Sequence, residues 1–106
     1  MPKYLIQVSY TADATKALVK GGGSKRRAEV EEFVRKAGGR LEALYFAFGE
    51  VDAYAITELP DAATAAAMSM AANGSGAVRL RTTLLLTPEE MDQAAKKSVN
   101  YRPPGA

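Results

Sequence analysis

Two strand-like runs separated by only four residues constrain the fold of this chain most. Residues 40–48 and 53–59 are rich in aromatic and aliphatic side chains, and the sequence between them, Gly49-Glu50-Val51-Asp52, is rich in turn-forming residues. So short a connection between two strands is typical of an antiparallel hairpin. The chain is therefore expected to build an antiparallel sheet around this hairpin.

Each side of the hairpin adds one more strand and its helices. Alternating apolar positions predict the outer strands at 3–10 and 77–86. Helices are predicted at 12–20, 25–37, 62–72 and 88–98. The order β-α-α-β-β-α-β-α contains the split β-α-β plan, which predicts an α+β, ferredoxin-like fold: a four-stranded antiparallel sheet with helices on one face. We expect one domain over residues 1–100 and an extended tail over 101–106.

Most helix ends carry local sequence signals. Predicted N-caps are Thr11, Ser24, Asp61 and Thr87, whose hydroxyl or carboxylate oxygens accept free backbone N–H groups. Thr87 is followed by proline and then by a glutamate at the third helical position, which predicts a capping box. Gly38 and Gly39 predict a left-handed helix end.

The alternation of the outer strands predicts an open sheet face. In the first strand Tyr4, Ile6, Val8 and Tyr10 share one face, and Leu5, Gln7 and Ser9 share the other. The second strand is expected to present Leu44, Phe46 and Phe48 on the open face. Exposed apolar sheet surface usually marks an interface, so we expect a homo-oligomer that associates through this face.

The composition excludes several chemistries. The 106 residues include no cysteine and no histidine, so thiolate nucleophiles, histidine acid–base catalysis and the common zinc and iron ligand sets are absent. Catalysis would depend on Asp, Glu, Lys, Arg, Tyr or Ser, and we expect no metal and no cofactor. The net charge of +2 is too even for a typical nucleic-acid binder. With no signal-peptide pattern and no long apolar run, we expect a cytoplasmic protein without a membrane partner.

The chain also resembles the GYD-domain family along nearly its whole length. The resemblance is carried by PKYLIQVSYT, YFAFGEVDAYAITELPD, SGAVRLRTTLLLTPEEMDQAAKK and YRPPG. At the family's Gly-Tyr-Asp element this chain has Gly49 and Asp52, with Val51 at the tyrosine position, and Tyr54 is a candidate substitute. The resemblance implies a ferredoxin-like or dimeric α/β-barrel domain of uncharacterised function, with no catalytic residue to transfer.

One candidate ligand site lies where the first and fourth strands are expected to pair. Arg79, Arg81 and Thr83 alternate on the fourth strand, and Gln7 and Ser9 should lie beside them. Arginines in such a pocket bind a carboxylate, an enolate or a phosphate. The alternative is an inter-subunit ion-pair network, in which the candidate carboxylates are Glu42, Glu50, Asp52 and Glu58.

Two further clusters are weaker candidates. Glu50 and Asp52 flank Val51, where they could hold a hard cation or supply a base, or where Asp52 could bond the backbone of a turn. Ser24, Lys25, Arg26 and Arg27 follow three glycines at a predicted helix start. That arrangement suits an anion, although the acidic residues at 29, 31 and 32 could also offset these cations.

Three hypotheses for the function follow. The first is a ligand- or partner-binding module that oligomerises through its open sheet face. The second is a cofactor-independent isomerase or oxygenase that holds a small anionic substrate with Arg79 and Arg81, with Tyr54, Glu50 or Asp52 in acid–base roles. The third and weakest is nucleic-acid binding through residues 20–27.

Overall fold

The computed structural model describes residues 1–105; Ala106, the last residue of the predicted tail, lies outside them. The strands are β1 (Lys3–Tyr10), β2 (Arg40–Phe46), β3 (Ala53–Glu58) and β4 (Val78–Leu85). The helices are α1 (Ala12–Gly21), α2 (Gly23–Lys36), α3 (Ala62–Gly74) and α4 (Pro88–Lys96). Their order along the chain is the predicted β-α-α-β-β-α-β-α.

The four strands form one antiparallel sheet in the order β2-β3-β1-β4. β2 and β3 form the hairpin that the short connection predicted. This arrangement confirms the ferredoxin-like fold. It also puts β1 between β3 and β4, which brings the polar residues of β1 next to the arginines of β4.

The core lies between one sheet face and helices α2 and α3. Tyr4 from β1 and Val34 from α2 belong to it. Leu59, directly after β3, and Ala65 and Met68 from α3 complete it. Alanine side chains let α3 approach the sheet closely. The alternation of β1 is confirmed, because Tyr4 and Val8 are buried and Ile6 packs against the core.

Local signals specify most of the helix ends. Thr11, Asp61 and Thr87 accept backbone N–H groups as N-caps, and Thr87 forms the predicted capping box with Glu90. After α2, Gly38 has φ +87°, and the Gly39 amide donates to the Val34 carbonyl at 3.0 Å. This bond belongs to the left-handed C-terminal motif that the glycine pair predicted.

The predicted cap at Ser24 is wrong. α1 continues to Gly21 and α2 begins at Gly23, so Gly22 alone joins the two helices and makes no side-chain cap. Gly22 adopts φ +87°, a conformation that glycine reaches at little cost. The chain therefore turns between two helices within one residue, and Ser24 becomes an exposed residue of the first turn.

A bulge reverses the predicted faces of β2. The pairing with β3 shifts between Leu41 and Ala43, so one extra residue of β2 is accommodated there. A one-residue shift moves every following side chain to the opposite face. Leu44 therefore lies between the sheet and the helices, and the Phe46 ring lies beside Gly23, not on the open face. Phe48 falls after the strand and is fully exposed.

Helices α1 and α4 pack differently from the other two, since neither has a buried residue. Residues 97–105, which follow α4, have no regular secondary structure apart from a turn at Pro104 and Gly105. Within residues 1–105, no helix is both long enough and apolar enough to cross a membrane.

Candidate functional site

The sheet face opposite the helices, here called the open face, is ordered in rows. Register partners on neighbouring strands stand side by side and form rows across the sheet. The rows differ in whether their side chains are charged, apolar or polar. The rows are Arg40, Glu58, Lys3 and Leu85; Ala43, Ile56, Leu5 and Thr83; Tyr45, Tyr54, Gln7 and Arg81; and Ser9 with Arg79.

The first row is an ion-pair cluster. Lys3 Nζ lies 2.5 Å from Glu42 Oε1 and 3.6 Å from Glu58 Oε1, and Arg40 Nη2 lies 2.9 Å from Glu58 Oε2. The hydrogen bond to Glu42 raises the pKa of Lys3, and the bond from Arg40 lowers the pKa of Glu58. Two carboxylates expected as partners for Arg79 and Arg81 are thus engaged by other cations of the same chain.

The opposite end of the open face holds a polar pocket of about 320 Å³, here called the arginine pocket. Ser9 is the register partner of Arg79, and Gln7 is the partner of Arg81. The loop after β2 contributes part of the pocket wall. Its lining residues are Gln7, Ser9, Glu50, Val51, Arg79 and Arg81. The structure therefore brings together five of the residues predicted as a ligand site.

The charges in the arginine pocket are unbalanced. Within the described chain, Arg79 and Arg81 form no ion pair and no side-chain hydrogen bond. Two guanidinium groups on alternate residues of one strand face repel each other. Glu50 is the carboxylate on the wall, while Gln7 and Ser9 supply neutral hydrogen-bonding groups. Two arginines without counter-ions in the described chain, beside neutral hydrogen-bonding groups, are an arrangement that suits a small anion.

Three other predicted site residues lie outside the pocket. Asp52 Oδ2 accepts the Tyr10 amide at 2.8 Å, and the Asp52 amide donates to the Val8 carbonyl, also at 2.8 Å. Asp52 thus anchors the loop to β1. Tyr54 stands between Tyr45 and Gln7, and Thr83 is the register partner of Leu5.

The proposed pairing of Glu50 with Asp52 around a cation gains no support from this geometry. The Asp52 carboxylate accepts a backbone amide while Glu50 faces the arginine pocket. Among residues 1–105 there is no group of three or more acidic side chains placed to hold a metal ion. Val51, which stands at the family tyrosine position, is buried with 7% exposure.

Two of the basic residues at the start of α2 form ion pairs within the helix. Arg26 Nη1 lies 3.5 Å from Glu29, and Arg27 Nε lies 3.5 Å from Glu31. These contacts agree with the expected offset by acidic residues. Lys25 and Arg26 line a pocket of about 350 Å³ between α1 and α2, whereas Ser24 and Arg27 do not line it.

Sequence reasoning missed two features of this region. The Arg26 guanidinium lies 5.8 Å from the centroid of the Tyr10 ring, a cation–π arrangement between residues far apart in sequence. Thr57, at 1% exposure, is a buried hydroxyl on the helix side of β3. Thr57 alternates with Ala55 and Leu59 along the strand, and this spacing could have predicted that it is buried with them.

Comparison with known proteins places these elements in a family. A family model described as GYD domain matches residues 4–95, from the start of β1 almost to the end of α4. Searches of curated proteins and of solved structures returned no match. The match therefore concerns the whole sheet and its helices, and it assigns no activity to them.

Proposed function

The chain belongs to the GYD-domain family, and from this premise we propose that it is a binding module. Copies of the chain associate through their open faces, most simply as a twofold dimer. The arginine pocket holds a small anionic molecule. The observation that carries this proposal is the open face itself, which has a half-buried apolar row next to two arginines without partners in the described chain.

Self-association is supported by the two middle rows of the open face. Ile56 and Leu5 are register partners at the centre of the sheet, and each is only half-buried in the single chain. Tyr45 is 73% exposed and stands beside Tyr54. Tyrosines and aliphatic side chains with this exposure are typical of protein interfaces. Two such sheets packed face to face would shield both rows from water.

Anion binding is supported by the arginine pocket. A carboxylate or phosphate there would accept hydrogen bonds from the planar guanidinium groups and relieve the repulsion between Arg79 and Arg81. Association of the sheets would also reduce the access of water to this end of the face, which strengthens such charge-assisted bonds. The ligand class is a small carboxylate or phosphate, since the pocket encloses about 320 Å³.

One observation supports the enzyme hypothesis as a second candidate. Glu50 lines the same pocket as both arginines. A carboxylate beside a bound anion is the arrangement that proton transfer in an isomerase requires. A binding module returns its ligand unchanged, whereas an enzyme of this kind exchanges a carbon-bound proton of the ligand with deuterium oxide. Proton spectra of the incubated ligand distinguish the two.

Self-association is tested by light scattering after size exclusion, with the chain mass of 11.3 kDa as the monomer reference. We expect the wild type to have a multiple of this mass and the variant Ile56→Asp to be a folded monomer. Val19→Asp is the matched control, because Val19 is 80% exposed on α1, away from the open face. A monomeric wild type over the whole concentration range would refute the proposal.

Anion binding is tested with untagged protein by native mass spectrometry and by calorimetric titration with inorganic phosphate and malonate. Replacing both Arg79 and Arg81 by methionine is expected to weaken binding by about tenfold or more, as the loss of charged hydrogen bonds implies. The control replaces Lys16 and Lys20 by methionine, which removes the same charge from exposed positions of α1 on the other side of the sheet. An equal loss of affinity in both double variants would mean that the effect comes from net charge alone, and it would contradict a specific anion site.

A further inference from the structure

A second pair of cavities lies on the other side of the sheet, under the helices. An inner cavity of about 70 Å³ is enclosed between the sheet and helices α2 and α3. An outer pocket of about 350 Å³ lies between α1, α2 and the end of the sheet. Tyr10, Arg26 and Val78 line both, so the two spaces are neighbours on either side of these three side chains.

The inner cavity is apolar with one unsatisfied polar group. Its wall is formed mainly by aliphatic and alanine side chains of β1, β3, α2 and α3. Two hydroxyls of the wall, those of Ser69 and Thr82, bond each other at 2.8 Å. Thr57 is 1% exposed, and its Oγ1 has no hydrogen-bond partner in the described chain. A buried hydroxyl without a partner costs free energy, so this group calls for a partner inside the cavity.

The junction of the two spaces carries a second unsatisfied group. The Nε of Arg26 is buried and has no hydrogen-bond partner in the described chain. The guanidinium is held over the Tyr10 ring, and only its Nη1 approaches a carboxylate, Glu29, at 3.5 Å. A guanidinium fixed in this way presents Nε–H and Nη–H in the fork that binds both oxygens of a carboxylate. Lys25 lies on the wall of the same outer pocket and adds positive charge there.

We propose that the inner cavity and the outer pocket form one binding site for a small carboxylate with a short apolar chain. The carboxylate binds Arg26 and Lys25 in the outer pocket, and the apolar chain enters the inner cavity beside Thr57. At about 30 Å³ for each water- or methylene-sized group, the inner cavity of about 70 Å³ holds roughly two such groups, so only the end of the apolar chain enters it and the rest lies at the junction. This site is separate from the arginine pocket, since the sheet lies between them, and it does not depend on the function proposed for the open face.

The fold gives this site a route of entry. Helix α1 forms one wall of the outer pocket through Ala14, Ala17 and Leu18, yet no residue of α1 is buried. Gly22 joins α1 to α2 as a single residue with φ +87°. A helix held by few buried contacts and a glycine joint can move at a small cost in free energy. Movement of α1 would therefore widen the outer pocket and open the approach to Arg26 at its inner end.

The test uses the full chain with hexanoate and hexanol as probes and follows the backbone amides in proton–nitrogen correlation spectra. Hexanoate is expected to give saturable shifts at Thr57, Tyr10 and the neighbouring amides of α3. The variant Arg26→Met should weaken hexanoate binding by about tenfold, which is one charged hydrogen-bonded contact, and leave hexanol binding nearly unchanged. Arg27→Met is the matched control, because Arg27 lies outside both cavities.

A second variant tests the apolar half of the site. Ala72→Leu adds volume to the wall of the inner cavity and should weaken both probes, with folding checked by circular dichroism. Shifts confined to Arg79 and Arg81 would assign the anion to the open face and overturn the proposal. Absence of saturable shifts in the wild type, or equal losses in Arg26→Met and Arg27→Met, would also overturn it.

Discussion

Gly39, between α2 and β2, stands where the backbone leaves no room for a side chain. A Cβ at this position would lie 2.3 Å from the Glu58 carbonyl oxygen and 2.7 Å from Leu59 Cδ2. Both neighbours are fixed, because Leu59 is among the most buried side chains and Glu58 ends β3. The glycine therefore allows the end of α2 to pass directly over the end of β3.

The variant Gly39→Ala should consequently be destabilised by about 1–3 kcal/mol or more, as overpacking of a rigid site requires. Gly74→Ala is the matched control: no heavy atom lies within 4 Å of its added Cβ, and its φ is not in the left-handed region. The control should be neutral or slightly stabilised. Urea unfolding of the two variants measures the difference, and a similar stability for both would contradict the close approach.

Asp61 links the stability of α3 to pH. Its carboxylate accepts the Thr64 amide at 2.8 Å, and this bond lowers the pKa of Asp61 from the ordinary value of 3.8. Because the folded-state pKa is the lower one, the stabilisation is complete above the unfolded-state pKa and is lost as the pH falls through the folded-state pKa. The effect belongs below about pH 4.

Asp61→Asn keeps a capping oxygen but has no titrating group. Its melting temperature should therefore fall less than that of the wild type when the pH is lowered from about 5 to about 3. The control Asp92→Asn replaces a carboxylate without a hydrogen bond in the described part of α4 and should follow the wild type. Equal falls for wild type and Asp61→Asn would show that the cap does not titrate in this range.

The contrast between β1 and β2 shows which residue positions sequence can predict. The alternation of β1 runs without interruption, so Gln7 and Ser9 were correctly predicted to lie beside Arg81 and Arg79. In β2 the even-numbered residues face the open side before the bulge and the helices after it, which reversed the prediction for Leu44. A bulge is decided by packing against the neighbouring strand, so the pattern of β2 alone did not contain it.

At the scale of elements, α4 has strong local signals but no packing. It has a capping box, proline at its start, two glutamates in its first turn and a lysine in its last. Nine residues are nevertheless too few for a stable isolated helix in water. No side chain of α4 is buried, and Met91 is 56% exposed. We therefore expect α4 to be stabilised by packing against a second copy of the chain.

Removing residues 87–106 should leave the sheet folded while weakening self-association by about tenfold, the equivalent of a modest lost contact surface. Removing only residues 101–106 is the control and should have little effect. Sedimentation equilibrium measures association, and circular dichroism measures the fold of the remaining chain. Unchanged association after the longer deletion would mean that α4 does not contribute to the interface.

Helices α1 and α2 show why the start of an element is harder to predict than its presence. The three glycines predicted a break between two helices, and the break exists. Its position was misplaced because Ser24 is a good cap in isolation. Gly22 is the single residue between the end of α1 and the start of α2. The packing of the two helices against each other favours this short connection, and the local sequence does not contain that information. The same packing creates the outer pocket beside Arg26.

At the scale of the whole molecule, the chain is extended for its length. Its radius of gyration is 16.7 Å, with extents of 55 × 33 × 23 Å, against about 13 Å for a compact chain of 100 residues. The fold was predictable because a hairpin and regular alternation are local features. The alternation of β4 also predicted Arg79 and Arg81 as candidate site residues. The unsatisfied groups of Arg26 and Thr57 were not predicted, because the residues around them come from elements far apart in the sequence.

Because the core is small, we expect the stability of this chain to depend on association. Three of the buried hydrophobic residues in the described chain, Ala53, Ala55 and Ala65, are alanines, which bury little apolar area each. If folded chains associate through the open face, mass action stabilises the folded state as the protein concentration rises. The melting temperature of the wild type should therefore rise by a few degrees for each tenfold increase in concentration.

The variant Ile56→Asp should lose this dependence, because a charge in the centre of the apolar row opposes burial of the open face. Its melting temperature should lie below that of the wild type at every concentration, because aspartate also loses the half-buried contacts of Ile56, and should not change with concentration. Val19→Asp, on the far side of the molecule, should keep the wild-type slope. Differential scanning calorimetry over a hundredfold concentration range, about two decades, gives all three slopes. A wild-type melting temperature that does not change with concentration would mean that the single chain is stable without association. It would contradict the argument that association stabilises the fold.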